Sequence, residues 1–258
     1  MADAPRPDLS RAERFSRIEL MLGRAACERL SQAAVMVVGL GAVGSYATEG
    51  LARAGIGRLW LIDFDRLTPS NINRHLHALG STVGRAKCEV ARERVLEINP
   101  ECRVQAIQGF IGPETVQEYL AENPDLVIDA IDSLNPKVEL IAACRLSGIP
   151  LICCLGAALR LDPAQVRTGR LGEVKNCHLA RAVRKRLRRR NVPLDFPCVY
   201  SLEPLPHPLP IAAPTDRLGE APALDRGRTR HTLGSLPTLP GIFGLTAADL
   251  AIRLLIGR

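Results

Sequence analysis

Short apolar runs alternate along this chain with longer stretches of helical periodicity. Residues 33–38 are apolar without interruption, as in a strand covered on both faces of a parallel sheet. Similar runs at 58–63, 104–107, 125–131 and 150–155 predict four more strands. Between them the spacing changes to that of helices. Residues 11–30 place Phe15, Ile18, Leu22 and Ala26 on one face. A helix after Gly44 stops at Gly55, and one over 84–98 is ended by Asn99-Pro100. Residues 113–121 and 136–147 supply two more. Strands alternating with helices predict an α/β, Rossmann-like, doubly wound and mainly parallel sheet with helices on both faces.

After Gly156 the alternation stops. Residues 164–170 and 199–202 read as strands flanking a basic helix, a C-terminal antiparallel and loop extension. Prolines crowd residues 204–236, which read as a flexible loop. Residues 245–255 read as a final helix within a C-terminal segment 237–258.

Charge sharpens this picture. The formal net charge is +7. Residues 181–190 hold seven cations (Arg181, Arg184, Lys185, Arg186, Arg188, Arg189 and Arg190) and no acid, so this run equals the whole excess. A balanced body with one basic block points to a local polyanion contact. The eight cysteines include no Cys-x-x-Cys pair, which predicts reduced thiols and no structural zinc. The first eight residues lack an apolar signal core. Residues 241–256 contain Asp249 and Arg253 and are short for a bilayer. A cytoplasmic protein without stable membrane insertion is expected, its tail able to touch the inner-membrane surface or a second subunit.

Candidate chemistry begins at Gly39-Leu-Gly41-Ala-Val-Gly44, directly after the first strand. Gly39 suits a tight turn, Gly41 a close approach of phosphate, and Gly44 close helix–strand packing. The helix start that follows offers N–H groups to an anion. Asp63 lies nineteen residues past Gly44, at the end of the second strand, where an acid can hold ribose hydroxyls. An NAD-dependent oxidoreductase is served equally well by these residues. Such an enzyme also needs a substrate domain with its own acid and base, and little chain remains for one.

Further motifs change the reading. Arg14-Phe-Ser-Arg17, Asp63-Phe-Asp65, Ser70-Asn71-Ile-Asn-Arg74, Val83-Gly-Arg-Ala-Lys87, Ile98-Asn99-Pro100 and Asp129-Ala-Ile-Asp132 occur in order. With the glycine loop, they resemble the ubiquitin-activating enzymes and their bacterial relatives, which adenylate carboxylates. The likeness runs from about residue 11 to 158, the nucleotide-binding core of one adenylation domain spanning 11–258. It implies that Asp63 holds the ribose, that Asn71, Arg74 and Lys87 contact the ATP phosphates, and that Asp132 holds magnesium. It implies that Arg17 reaches the γ-phosphate of a neighbouring subunit, making the active unit a homodimer. Asp65 stands beside the nucleotide residues as a ligand or a brace. A monovalent cation is a further candidate cofactor.

These residue types suit the chemistry. A carboxylate attacking the α-phosphate joins two anions, so cations must neutralise charge in the transition state. Arginine offers a planar fork and lysine a mobile point charge. Magnesium takes a carboxylate plus phosphate oxygens.

Relatives that activate ubiquitin-like sulfur carriers commonly carry two Cys-x-x-Cys zinc pairs, absent here. Instead, residues 179–190 and Pro197-Cys-Val-Tyr-Ser-Leu-Glu203 resemble the branch that dehydrates threonylcarbamoyladenosine in tRNA. That branch uses ATP to activate the threonylcarbamoyl carboxylate, at position 37, before cyclisation. The resemblance implies modified tRNA as substrate partner, with sulfur-relay proteins as further candidates. Arg181, Arg184, Lys185, Arg188 and Arg189 are the candidate RNA contacts, gripping phosphate without reading sequence, while Val183 and Leu187 anchor the helix. The rival is an adenylyltransferase for a sulfur-carrier protein. Cys198 is weighed as a catalytic thiol and reads better as a packed one.

Overall fold

The computed structural model describes residues 10–206 and 233–258. Helix α1 (Arg11–Leu22) starts on a capping box in which Ser10 and Glu13 satisfy each other's backbone N–H groups. The single helix predicted over 11–30 is two. Gly23 adopts φ 84° and turns the chain into α2 (Arg24–Gln32). Strand β1 (Ala34–Val38) leads to α3 (Ala42–Arg53), β2 (Arg58–Ile62), α4 (Lys87–Ile98) and β3 (Arg103–Ile107). Then follow α5 (Val116–Leu120), β4 (Leu126–Asp129), α6 (Leu134–Ser147) and β5 (Leu151–Cys154). The extension contains β6 (Val166–Arg170), α7 (His178–Arg188), β7 (Pro197–Ser201) and α8 (Thr238–Ile256).

The seven strands form one sheet in the order β3-β2-β1-β4-β5-β7-β6. All neighbours are parallel except β6, which runs antiparallel to β7 at the edge. The chain reverses its winding between β1 and β4, the place where doubly wound sheets open a ligand crevice at the C-terminal strand ends.

Alternation along each strand divides the core. Val35, Val37, Leu59 and Leu61 face α3, α4 and α8 on one side, whereas Met36, Val38, Trp60 and Ile62 face α5 and α6 on the other. The second layer also takes in Val183 and Leu187 of α7. Helix α8 is long and apolar enough to cross a membrane, yet half of it is buried in the fold. It crosses α3 so closely that a β-carbon at Gly244 would lie 2.3 Å from the Val43 carbonyl oxygen. It begins at Thr238, earlier than the predicted 245. Pro240 sits in its first turn, where a missing N–H costs nothing. Likewise α6 begins at Leu134 and takes Pro136 into its first turn. Helix α4 begins at Lys87, three residues after the predicted start. Of the predicted loop 204–236, residues 207–232 lie outside the described residues.

Candidate nucleotide site

Three loops meet where β1, β2 and β4 end. The first follows β1. Gly39 takes φ 87°, and a β-carbon there would lie 2.9 Å from the backbone of Ala130 and Ile131, in the loop after β4. A β-carbon on Gly44 would lie 1.8 Å from the Gly39 carbonyl oxygen. These two glycines are required by the protein itself. Gly41 differs: nothing lies within 4 Å of its missing side chain. An open approach just before the N-terminus of α3 is what a phosphate needs.

The second loop follows β2. Asp63 is buried, and its carboxylate accepts the Leu40 N–H at 2.6 Å and the Asp65 N–H at 2.8 Å. The Lys87 ammonium sits 2.8 Å from Asp65 Oδ2 and 4.0 Å from Asp63 Oδ1. Burial raises the Asp63 pKa above the ordinary carboxylate value, with Lys87 pulling against it. The Asp65 backbone also accepts the Lys87 N–H, so Asp65 braces the loop at both its ends.

Beyond it, residues 69–71 form a single 3-10 turn capped by Thr68, whose N–H donates to Asn71 Oδ1 at 3.2 Å. The Nδ2 donor of Asn71 is uncommitted among the described residues. Arg74 donates to the Ser70 carbonyl at 2.7 Å and to Asn73 Oδ1 at 2.9 Å, and it makes no ion pair among the described residues. The third loop holds Asp132, exposed past the end of β4 and accepting from the Ser133 hydroxyl at 3.2 Å. Among the described residues no three ligating side chains cluster around a metal position. One exposed carboxylate beside a phosphate loop suits magnesium, which draws its other ligands from phosphate and water.

Two features were not singled out from the sequence. His75 Nε2 lies 2.6 Å from the Leu40 carbonyl oxygen, and its Nδ1 accepts the His77 N–H at 3.1 Å. A backbone N–H can only donate, so Nδ1 is unprotonated and Nε2 carries the proton. Leu40 is thereby held through its N–H by Asp63 and through its carbonyl by His75. Burial lowers the His75 pKa to about 3 and that of its buried neighbour His77 to about 4. The one sequence signal that could have found His75 is its place directly after Arg74.

The second feature is a wholly buried ion pair behind the site. Lys137 on α6 donates to Asp129 at 2.7 Å and to the Cys154 carbonyl at 2.9 Å. Burial opposes both charges. It raises Asp129, and it works against the Lys137 ammonium, where the carboxylate outweighs it and the net shift is upward. The two directions move the shared proton opposite ways. The 2.7 Å contact, the Cys154 carbonyl and the Ile131 N–H on Asp129 Oδ1 favour the ionised pair. This pair ties the end of β4 to the end of β5.

Arg17 does not join these groups. Helix α1 packs where β2 and β3 begin, through Arg11 on the Gly55 carbonyl and Arg14 on the Ile98 carbonyl. That is the opposite end of the sheet from the nucleotide loops. Arg17 is exposed there, near the exposed Leu20 and Met21.

Helix α7 sorts the basic block by job. Arg184 donates to the Leu171 and Val174 carbonyls at 3.2 and 2.7 Å, bracing the turn after β6 rather than facing solvent as expected. Arg186 bonds Asn135, and Arg190 clamps Glu139 through both terminal nitrogens. The remaining cations, Arg181, Lys185, Arg188 and Arg189, are exposed. Cys198 is buried, and burial pushes its thiol pKa far up, against a reactive thiolate. All eight cysteines are free.

A glycine loop at the switch point, with an acid after β2 and a lysine over it, defines a nucleotide-binding α/β protein of the adenylating kind. The chain belongs to the ThiF family, which it matches over residues 14–258. It is 36% identical over 253 residues to the tRNA threonylcarbamoyladenosine dehydratase of Escherichia coli (strain K12), covering 95% of this chain and 94% of that one. The crystal structure of the E. coli tRNA N6-threonylcarbamoyladenosine dehydratase in complex with ATP is similar, with a TM-score of 0.83 at 35% identity over 95% of both chains. The molybdopterin-synthase adenylyltransferase of Salmonella typhimurium is 37% identical, but over 52% of this chain and 53% of its own.

Proposed function

We propose that this chain is an ATP-dependent dehydratase that cyclises threonylcarbamoyladenosine in tRNA through an acyl-adenylate. The observation that carries the reading is the open approach at Gly41, at the strand ends where the loops carrying Asp63 and Lys87, Arg74 and Asp132 come together. The likeness to tRNA-dehydrating relatives extends over the extension and α7 as well as the nucleotide core, whereas the molybdopterin-synthase adenylyltransferase matches about half the chain. That difference favours RNA over a carrier protein.

Each residue has a task. Both Asp63 oxygens keep a lone pair after accepting Leu40 and Asp65, and these receive ribose hydroxyls. The N–H groups at the start of α3, with Asn71, Arg74 and Lys87, orient the phosphates and neutralise charge built up in the transition state. Asp132 would hold magnesium, which neutralises phosphate oxygens. A substrate carboxylate oxygen bonds the α-phosphorus as the bond to pyrophosphate breaks. The threonylcarbamoyl group then closes on its own activated carbonyl, releasing AMP and a proton. The base has lost one water, and ATP has become AMP and pyrophosphate. Arg17, remote from the site of its own chain, serves that of a second copy in a homodimer. Arg181, Lys185, Arg188 and Arg189 meet the RNA backbone.

The test is mass spectrometry of nucleosides from threonylcarbamoyl-modified tRNA after incubation with the protein, ATP and magnesium. Loss of one water, dependent on ATP, is the expected result. No loss, in a preparation that exchanges pyrophosphate into ATP when given a sulfur-carrier protein, overturns it.

A further inference from the structure

The loop that leaves β5 contains a buried cation with unspent donors. Leu159 takes φ 61°, a left-handed conformation that costs a branched residue roughly 1 kcal/mol. Arg160 follows, only 2% exposed. One terminal nitrogen, Nη2, donates to the Asn176 carbonyl. Its Nε and Nη1 have no partner among the described residues. No acid forms an ion pair with it among the described residues. Glu203 is engaged by the N–H groups of Leu161 and Asp162 at 2.9 to 3.1 Å. Burial lowers the Arg160 pKa, and Cys177 and Glu203 pull weakly the other way. A guanidinium held this way is expensive unless something anionic comes to it.

Its place in the fold says what could come. The Leu159 N–H donates to the Gly234 carbonyl at 3.0 Å, and Asn73 Nδ2 donates to the Ser235 carbonyl at 3.2 Å. Residues 234–235 therefore lace the Arg160 loop to the turn that carries Asn71 and Arg74. On the other side, Lys137 joins the end of β5 to the end of β4. Neighbouring strands stand roughly 4.8 Å apart, so the loop leaves the sheet roughly 10 Å from the phosphate loop, two strands over. That puts Arg160 on a loop at the same end of the sheet as the proposed nucleotide site, two strands away from it.

We infer that Arg160 is a seat for an oxyanion of the RNA substrate, either the carboxylate to be activated or a phosphodiester next to the modified base. This rests on the RNA reading above. An arginine suits either anion, because its donors lie in one plane and stay charged when buried.

The test compares Arg160→Met and Arg160→Gln with the wild type, measuring KM for ATP, KM for modified tRNA, and binding of the same tRNA with and without the threonylcarbamoyl group at fixed salt. Loss of charge-assisted hydrogen bonds predicts a rise of about 10- to 100-fold in the KM for tRNA, with the KM for ATP within about twofold. Arg160→Gln keeps a donor for Asn176, so it serves where Arg160→Met does not fold. Weaker binding of the modified tRNA alone identifies the carboxylate, and weaker binding of both forms identifies the phosphodiester. Variants with unchanged KM for tRNA overturn the inference, as does an equal rise in both KM values, which marks Arg160 as merely structural. In those cases an active wild type leaves the dehydratase reading standing. A wild type unable to dehydrate modified tRNA overturns both.

Discussion

The nucleotide end of the sheet and the basic helix α7 use the same kinds of side chain in opposite ways. At the nucleotide end, side chains and backbone hold each other: Asp63 takes two backbone N–H groups, Asp65 takes the Lys87 ammonium, and Leu40 is held from two sides. The ligand meets groups already aimed, and little reorganisation is left for the reaction. On α7 and the two residues that follow it, three arginines are spent on the fold and four cations stand in solvent. A surface of that kind follows a flexible polyanion without fixing its geometry. Preorganised charge serves chemistry, and mobile charge serves docking.

This contrast can be broken most severely from behind the nucleotide end. Lys137→Met removes the cation from a pair that is wholly buried and leaves Asp129 without it. Removing one partner of a buried pair costs about 3–5 kcal/mol. Chemical denaturation is expected to show that loss, and an unchanged midpoint would mean that the pair does not tie β4 to β5. Next comes Lys87→Ala. Loss of one preorganised charge should lower turnover by about 100- to 1,000-fold, with a circular dichroism spectrum like the wild type. Wild-type turnover would remove Lys87 from the phosphate site.

A smaller effect sharpens the other half of the comparison. Replacing Arg181, Lys185, Arg188 and Arg189 by alanine should weaken tRNA binding and lower the slope of log affinity against log salt by about 1 for each lost phosphate contact. Arg184→Ala should leave that slope alone and lower the melting temperature, because its bonds go to the Leu171 and Val174 carbonyls. If Arg184→Ala flattens the slope as the exposed cations do, the division of α7 is wrong.

The sheet and the nucleotide loop were legible in the sequence because strong local signals state them. Five apolar runs separated by helical spacing leave few topologies, and the Gly39 and Asp63 positions follow from that frame, whereas Lys87 was named through the family resemblance. Helix boundaries were less legible where one residue has two uses. Gly23 can sit inside a helix or divide it, and Pro136 and Pro240 can stop a helix or start one. The jobs of the arginines on α7 were hidden for a different reason. Arg184 and Arg188 are four residues apart on one helix, but only Arg184 reaches carbonyls of the preceding turn, a contact fixed by tertiary packing. Lys137 was hidden too: within an amphipathic helix a lysine reads as a solvent-facing group until its partner on β4 is placed.

The gentlest test concerns the neutral histidines behind the phosphate loop. Burial, with the nearby His77 and Lys87 adding to it, lowers His75 to about 3, and burial lowers His77 to about 4 against the pull of the Glu49 carboxylate, from an ordinary value near 6.5. In the unfolded chain both take up a proton as pH falls through about 6.5, while the folded protein keeps them neutral until far lower pH. The unfolded state therefore binds more protons between these limits, and stability must fall as pH is lowered through that window. The slope approaches about 1.4 kcal/mol per pH unit for each such histidine once pH is well below 6.5. The Glu49 carboxylate facing His77 has a lowered pKa, because the bonds from Arg94 and Arg53 outweigh its burial, so it stays ionised from pH 7 to 5. Over that range His77→Gln, or His75→Gln with its N–H donor for Leu40 retained, should show a shallower fall in urea stability than the wild type. Parallel profiles for wild type and variants would mean that these rings take up protons in the fold, and the Leu40 clamp would then lack the fixed tautomer that its geometry requires.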